Sequence, residues 1–291
     1  MNRLHLTFHL SALCTLASAI AATGCGRQAQ STEENATPAV AVKTESSQTA
    51  ATAATKEQVE SLVATGNGME AIRKAADAEK YLLAFFWKGD DDQSIAMRRV
   101  FDQTVAKVAD RADSVAVNIT DESQKEIVEK YGLERAPTPL VLAVAPNGAI
   151  TGGFPTSFEE EDLMTAFVSP GTAKCIKPLQ ENKLVLLCLY NADTKSNEDA
   201  MKGIRDFKQD ERYAEATEVV VLDPADSAEA KFLADLGVSA ETETAITVLM
   251  APPGAPIGMI EGPTTKESFV DMLAKAQACG PGGCGPGGCG P

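Results

Sequence analysis

Apolar and polar positions along this chain alternate between short solid runs and spaced stripes. Tyr81–Trp87 is an unbroken apolar and aromatic run, too short to span a bilayer and suited to a strand buried on both faces. It stops at Lys88-Gly89-Asp90-Asp91-Asp92. Apolar residues return at Ile95, Met97, Val100 and Phe101, a spacing that predicts a helix over 95–108. A buried strand that turns tightly into a helix presents unpaired N–H groups at the turn, where α/β folds place their chemistry. The same periodicities predict helices over 69–78, 122–131 and 158–167. Strands are expected over 114–118, 138–145 and 149–153, the last two joined by the hairpin turn Pro146-Asn147-Gly148.

The order then repeats. Strands are predicted over 183–190, 218–222, 244–250 and 257–260, with helices over 197–208, 227–236 and 266–276. Gly132 and Gly237 each follow the helix between the second and third strands, where a residue free to take positive φ closes a helix well. A tandem duplication fits this order of elements better than it fits residue identity. Residues 172–181, which include Cys175, read as a connecting segment. A bridge from Cys175 to Cys188 is open on sequence, although Cys188 lies in the apolar run 184–189 and is expected to be a small buried hydrophobe.

Strand, turn, helix, strand, helix, then X-Pro-Thr leading into a hairpin and a last helix resembles the thioredoxin fold. The likeness is carried by Phe86-Trp87 before the turn, Lys130-Tyr131-Gly132-Leu133, Ala136-Pro137-Thr138 and Pro146-Asn147-Gly148. It covers about residues 65–170, and 183–277 by pattern only. The resemblance implies a Cys-x-x-Cys pair at the helix start, and here those positions fall at Asp91 and Ser94. Neither is a thiol, a carboxylate does not attack a disulfide, and a serine without a base is a poor nucleophile. The resemblance also implies that Pro137 takes the family's cis-proline place and, with Trp87, belongs to a surface for extended peptides. The bland alternatives are that Trp87 packs at the end of a core strand and that one of Asp90, Asp91 and Asp92 is a helix N-cap. The second half is further from the family, with Glu241–Thr244 in place of X-Pro-Thr.

The N-terminus adds a location. One early charge, an apolar stretch over 4–22 and the small residues Ala22-Thr23-Gly24 before Cys25 describe an export signal. An uncleaved membrane anchor is the alternative. The segment resembles the bacterial lipobox, with Ala22 where Leu is usual, and implies a lipid on Cys25. Both histidines, His5 and His9, would leave with the signal. A mature chain of that kind has no Ser-His or Cys-His pair and no His-ligated metal. Acidic residues number 41 against 26 basic, a formal net charge of −15 with no basic cluster, which argues against nucleic-acid binding.

The chain ends in Cys279, Cys284 and Cys289 spaced by Gly-Pro-Gly-Gly, a composition that forms no packed structure. Three readings stay open for it: a repeat expansion with opportunistic crosslinks, disulfide exchange, and Cu(I) held by two or three of the sulfurs. The expected fold class is α/β, with two tandem thioredoxin-like domains, each a central mixed β-sheet flanked by helices. A disordered N-terminal tether and a C-terminal tail complete it. The expected divisions are a signal over 1–24, the tether over 25–56, domains over 57–171 and 172–278, and the tail over 279–291. The expected function is binding or scaffolding of an envelope protein or peptide by an exported, lipid-anchored, redox-inert protein without a cofactor. The alternatives are a thiol–disulfide oxidoreductase that uses the tail, and a Cu(I) carrier.

Overall fold

The computed structural model describes residues 65–278. The signal, Cys25, the tether and the tail cysteines lie outside the described residues, as do residues 57–64 of the first expected domain. Two four-stranded sheets are built from one repeated order of elements. The first half runs α1 (Gly68–Asp77), β1 (Tyr81–Trp87), α2 (Asp92–Lys107), β2 (Ala112–Asn118), α3 (Lys125–Tyr131), β3 (Leu140–Val144), β4 (Ile150–Pro155) and α4 (Glu160–Met164). The second runs α5 (Pro170–Gln180), β5 (Leu184–Leu189), α6 (Asn197–Lys208), β6 (Thr217–Leu222), α7 (Ala230–Asp235), β7 (Ile246–Ala251), β8 (Ala255–Glu261) and α8 (Lys266–Ala278).

The sheet orders are β2-β1-β3-β4 and β6-β5-β7-β8, each with one parallel pair and two antiparallel pairs. The first strand of each half sits inside its sheet with apolar residues at every position, so it feeds two cores. Leu82, Ala84 and Phe86 pack on one face of the first sheet, Leu83 and Phe85 on the other. In β5, Val185, Leu187 and Leu189 face one way, Leu186 and Cys188 the other. Full burial of each such side chain is worth about 1.5–3 kcal/mol, which is why these two runs position everything else. Gly132 and Gly237 sit at φ 64° and 72°, closing α3 and following α7 as the repeat predicts.

Four expectations need correction. Residues 172–181 are not a connecting segment: 172–180 belong to α5 and Glu181 is its C-cap, and this helix stands before β5 as α1 stands before β1. The division between 171 and 172 therefore falls inside a helix. Pro170 and Gly171 look like breakers, yet a proline in the first turn costs no hydrogen bond, and Ser169 caps the N–H of Thr172 at 3.2 Å. Second, the cis peptide bond in this region joins Thr138 to Pro139, and Pro137 is exposed and outside the sheet. Third, β3 starts at Leu140 rather than 138, because Pro139 has no N–H for the ladder. Fourth, Cys175 and Cys188 are both free thiols on opposite faces of the second sheet, which excludes a bridge between them.

Candidate functional site

The turn between β1 and α2 is organised by Asp91. Its backbone is extended (φ −75°, ψ 164°), and its carboxylate accepts the Ser94 N–H at 2.7 Å, so it is the N-cap of α2. Asp92 follows in the first turn, where a carboxylate meets the positive end of the helix dipole. Asp91 is exposed and Ser94 is 5% exposed, so of the two positions implied for a redox pair the first faces solvent and the second lies under it. Asp90 and Ser94 both line a cavity of about 200 Å³ on the α2 face of the sheet.

That cavity is lined by Phe85, Trp87, Arg98 and Asp102 among others. Arg98 Nε donates to Asp102 Oδ1 at 3.0 Å, and its guanidinium lies 5.3 Å from the Phe85 ring centre and 5.7 Å from that of Trp87. Trp87 is half-buried and packs on Phe85, with ring centres 5.9 Å apart. Trp87 is thus fixed at the end of the core strand while one edge stays accessible. Ile95, one residue past Ser94, is 46% exposed, among the largest apolar exposures in the described chain. Sequence reasoning reached Asp91, Ser94 and Trp87 but missed Arg98 and Asp102, whose i,i+4 spacing was the available signal.

The segment leading into β3 ends at the same end of the first sheet. Phe86 pairs with Leu140, so Thr138 and Pro139 lie beside the exit of β1, near the turn. Pro137 is exposed there, and no hydrogen bond reaches the main chain of Thr138 among the described residues.

The equivalent turn of the second half, residues 190–196, is closely bonded to itself. The Asn191 N–H donates to Thr194 Oγ1 at 3.0 Å, Asn191 Oδ1 accepts the Asp193 N–H at 3.0 Å, and Asn197 Nδ2 donates to the Asn191 carbonyl at 2.7 Å. Lys195 also pairs in parallel with Thr244, just ahead of β7.

Neither described cysteine is poised to react. Burial pushes the Cys175 thiol up to about 12, helped by the nearby Glu229 carboxylate and opposed by Lys174. Burial also raises the Cys188 thiol, and Thr247 at 3.9 Å only partly offsets that. Among the described residues no group of three or more acids, cysteines or histidines is arranged to hold a metal ion. No helix among them is long and apolar enough to cross a membrane.

The sheet orders, connections and flanking helices define an α/β protein with two thioredoxin-like domains. No protein-family model matches the chain, and no curated protein matches it. Among solved structures it is similar to chloroplastic thioredoxin z at 12% identity, over 35% of this chain and 88% of that one, with a TM-score of 0.29. It is also similar to the germline-specific thioredoxin Deadhead of Drosophila melanogaster at 16% identity, over 35% of this chain and 93% of that one, again with a TM-score of 0.29. The fold assignment rests on strand order and connection, not on those two likenesses.

Proposed function

We propose that this chain is a redox-inert binding or scaffolding protein of the cell envelope, exported and held at a membrane by a lipid on Cys25. On this reading the first domain takes an extended peptide segment of an envelope partner along the end of its sheet. The observation that carries the proposal is the surface around the α2 turn: an exposed Ile95 and an accessible edge of Trp87 beside main-chain groups of Thr138 that bond to nothing described. Apolar anchors flanking unpaired backbone are what an added strand uses, with side chains for specificity and main chain for affinity. Asp91 and Ser94 leave that surface without a nucleophile for disulfides.

The test is binding of the full chain to an array of extended decapeptides. Trp87→Ala should weaken the retained peptides by about thirtyfold, the loss expected for an aromatic anchor worth about 2 kcal/mol. Ile95→Asp should act in the same direction. Undiminished binding by both variants would remove the first domain's surface from consideration. A second proposal assigns any thiol or Cu(I) chemistry to Cys279, Cys284 and Cys289. What favours it is that Cys175 and Cys188 are buried and held in the protonated form.

A further inference from the structure

Each sheet ends in two edge strands, and β2, β4 and β8 are covered or blunted. Thr65 pairs in parallel with Ala116 of β2, and the Gly66 N–H donates to the Ala116 carbonyl at 3.1 Å. Strand β4 carries Gly152, Gly153 and Pro155, β8 carries Pro256 and Gly258, and each joins its neighbour through a register shift. Strand β6 has none of these devices. Its sequence, Thr217-Glu218-Val219-Val220-Val221-Leu222, is mostly β-branched and pairs with β5 without a shift.

The ladder fixes which main-chain groups of β6 face outward. The Leu184 N–H donates to the Ala216 carbonyl at 2.7 Å, and the Tyr190 N–H to the Leu222 carbonyl at 3.1 Å. Bonding residues alternate along a parallel ladder, so Glu218, Val220 and Leu222 turn their N–H and carbonyl groups toward β5. Thr217, Val219 and Val221 turn theirs away from it, and Lys208 Nζ takes the Thr217 carbonyl at 2.6 Å. No hydrogen bond reaches the outward groups of Val219 and Val221 among the described residues. Phe86 pairs with Val117 and Leu140, and Leu189 with Leu222 and Ile246, which makes Val221 the counterpart of Ala116. Ala116 is fully covered, whereas Val221 is 42% exposed. The segment that would cover it is engaged elsewhere. The Gly68 N–H donates to Gln124 and the Gly171 N–H to Glu229, so Val168 is the counterpart of Thr65. Both main-chain groups of Val168 bond the Tyr81 hydroxyl of β1 instead, and no bridge joins 167–169 to β6.

We propose that β6 pairs antiparallel with β6 of a second copy of this chain, about a two-fold axis at Val220, and so joins their second sheets into one. In this register Val219 of each copy faces Val221 of the other, and each such pair exchanges both of its N–H···O bonds. The Val221 side chain, exposed in one copy, then lies against Val219 of the other on the same face. Charge selects the same occupant. Lys208 sits at the start of the strand and Asp223 follows its end, opposite Thr217 of the other copy. An antiparallel copy therefore brings each Lys208 to the other's Asp223, whereas a parallel strand sets like ends together. The two Glu218 side chains fall opposite Leu222 and not opposite each other. A strand with a cation before it, valines within it and an acid after it is what this edge complements, and β6 is such a strand. The interface is small, so the dimer is weak and depends on concentration. It involves the second sheet alone and does not rest on the peptide surface of the first.

Sedimentation of the full chain between about 10 μM and 1 mM tests the pairing, with reductant present so that thiols outside the described residues form no bridges. The mass should rise from monomer toward dimer across that range. Val221→Lys places a charge on an exposed edge position and should weaken the dimer at least about tenfold. Hydrogen exchange resolved to single amides locates the contact. In the dilute chain the Val219 and Val221 amides should exchange at least about tenfold faster than the Val220 amide, which faces β5. In the concentrated chain they should slow, and in Val221→Lys they should not. If that variant does not fold, exchange in the unaltered chain decides alone. A monomer throughout the range overturns the proposal, as does a dimer that leaves the Val219 and Val221 amides fast. Slow exchange at both in the dilute monomer also overturns it, because the edge is then covered from within the chain.

Discussion

Restoring two cysteines is the most searching perturbation of the α2 turn. In Asp91→Cys with Ser94→Cys, the substituted residues occupy the N-cap and the third helical position, where the Asp91 carboxylate now reaches the Ser94 N–H at 2.7 Å. Loss of that cap costs about 1 kcal/mol. Closing so short a loop with a disulfide returns about 2 kcal/mol through the unfolded chain. The oxidised variant should therefore be about 1 kcal/mol more stable than the unaltered protein and about 2 kcal/mol more stable than its own reduced form. A thiol at position 91 would meet the unpaired N–H groups of the helix start, which lower its pKa below the ordinary value of about 8.5. Thiol titration before and after mild oxidation is the primary assay, with denaturation in urea with and without reductant alongside. The two added thiols should disappear on oxidation, and insulin-reducing activity should emerge where the tail-deleted parent has none. A variant that folds normally but keeps both added thiols titratable after oxidation refutes the placement of these two positions face to face.

Other substitutions and conditions follow from the packing. A methyl group on Gly203 of α6 would sit 2.2 Å from Thr264 Oγ1 and 2.3 Å from the Thr264 carbonyl, so Gly203→Ala should destabilise by about 1–2 kcal/mol despite its better helix propensity. Gly89→Ala, with nothing within 4 Å, is the control, and a stabilised Gly203→Ala in urea melts would show that the close approach of α6 to this loop is wrong. Alkali should weaken the fold. Cys175 is raised from 9.0 to about 12, and burial also raises Cys188, Tyr81 and Tyr131, so the unfolded chain gives up these protons first. Stability is thus complete below pH 9 and falls as pH rises toward 12; a denaturation midpoint constant across that window would contradict the burial of these groups.

How much the sequence discloses depends on whether a feature is local. Tyr81–Trp87 and Asn197–Lys208 are legible to the residue, because a solid apolar run between polar turns and a stripe behind Ser196 need no tertiary information. The N-cap role within Asp90–Asp92 is legible for the same reason. Helix α5 is not, since Pro170, Gly171 and Pro178 suppress its local propensity and packing on both domains overrides them. Pro137 and Pro139 are equivalent in composition, and only the pairing of Phe86 with Leu140 tells which one opens the strand. The bridge between Lys195 and Thr244 leaves almost no trace in sequence because it is made by main-chain atoms.

Helix α5 has a further consequence. It turns Cys175 and Leu179 into the core of the second domain, while Ala173 packs with Ala145 and Ala149 of the first. Asn147 Nδ2 donates to the Ala173 carbonyl at 2.7 Å, and the Gln180 side chain bonds both the N–H and the carbonyl of Ile150 at 3.0 and 2.6 Å. Tyr81 of β1 bonds both main-chain groups of Val168, just ahead of the helix. A copy cut after 171 would uncover the first domain's alanines, and a copy begun at 172 would start without the Ser169 cap. The two halves are packed on a common helix, so melting should proceed as one cooperative event rather than two.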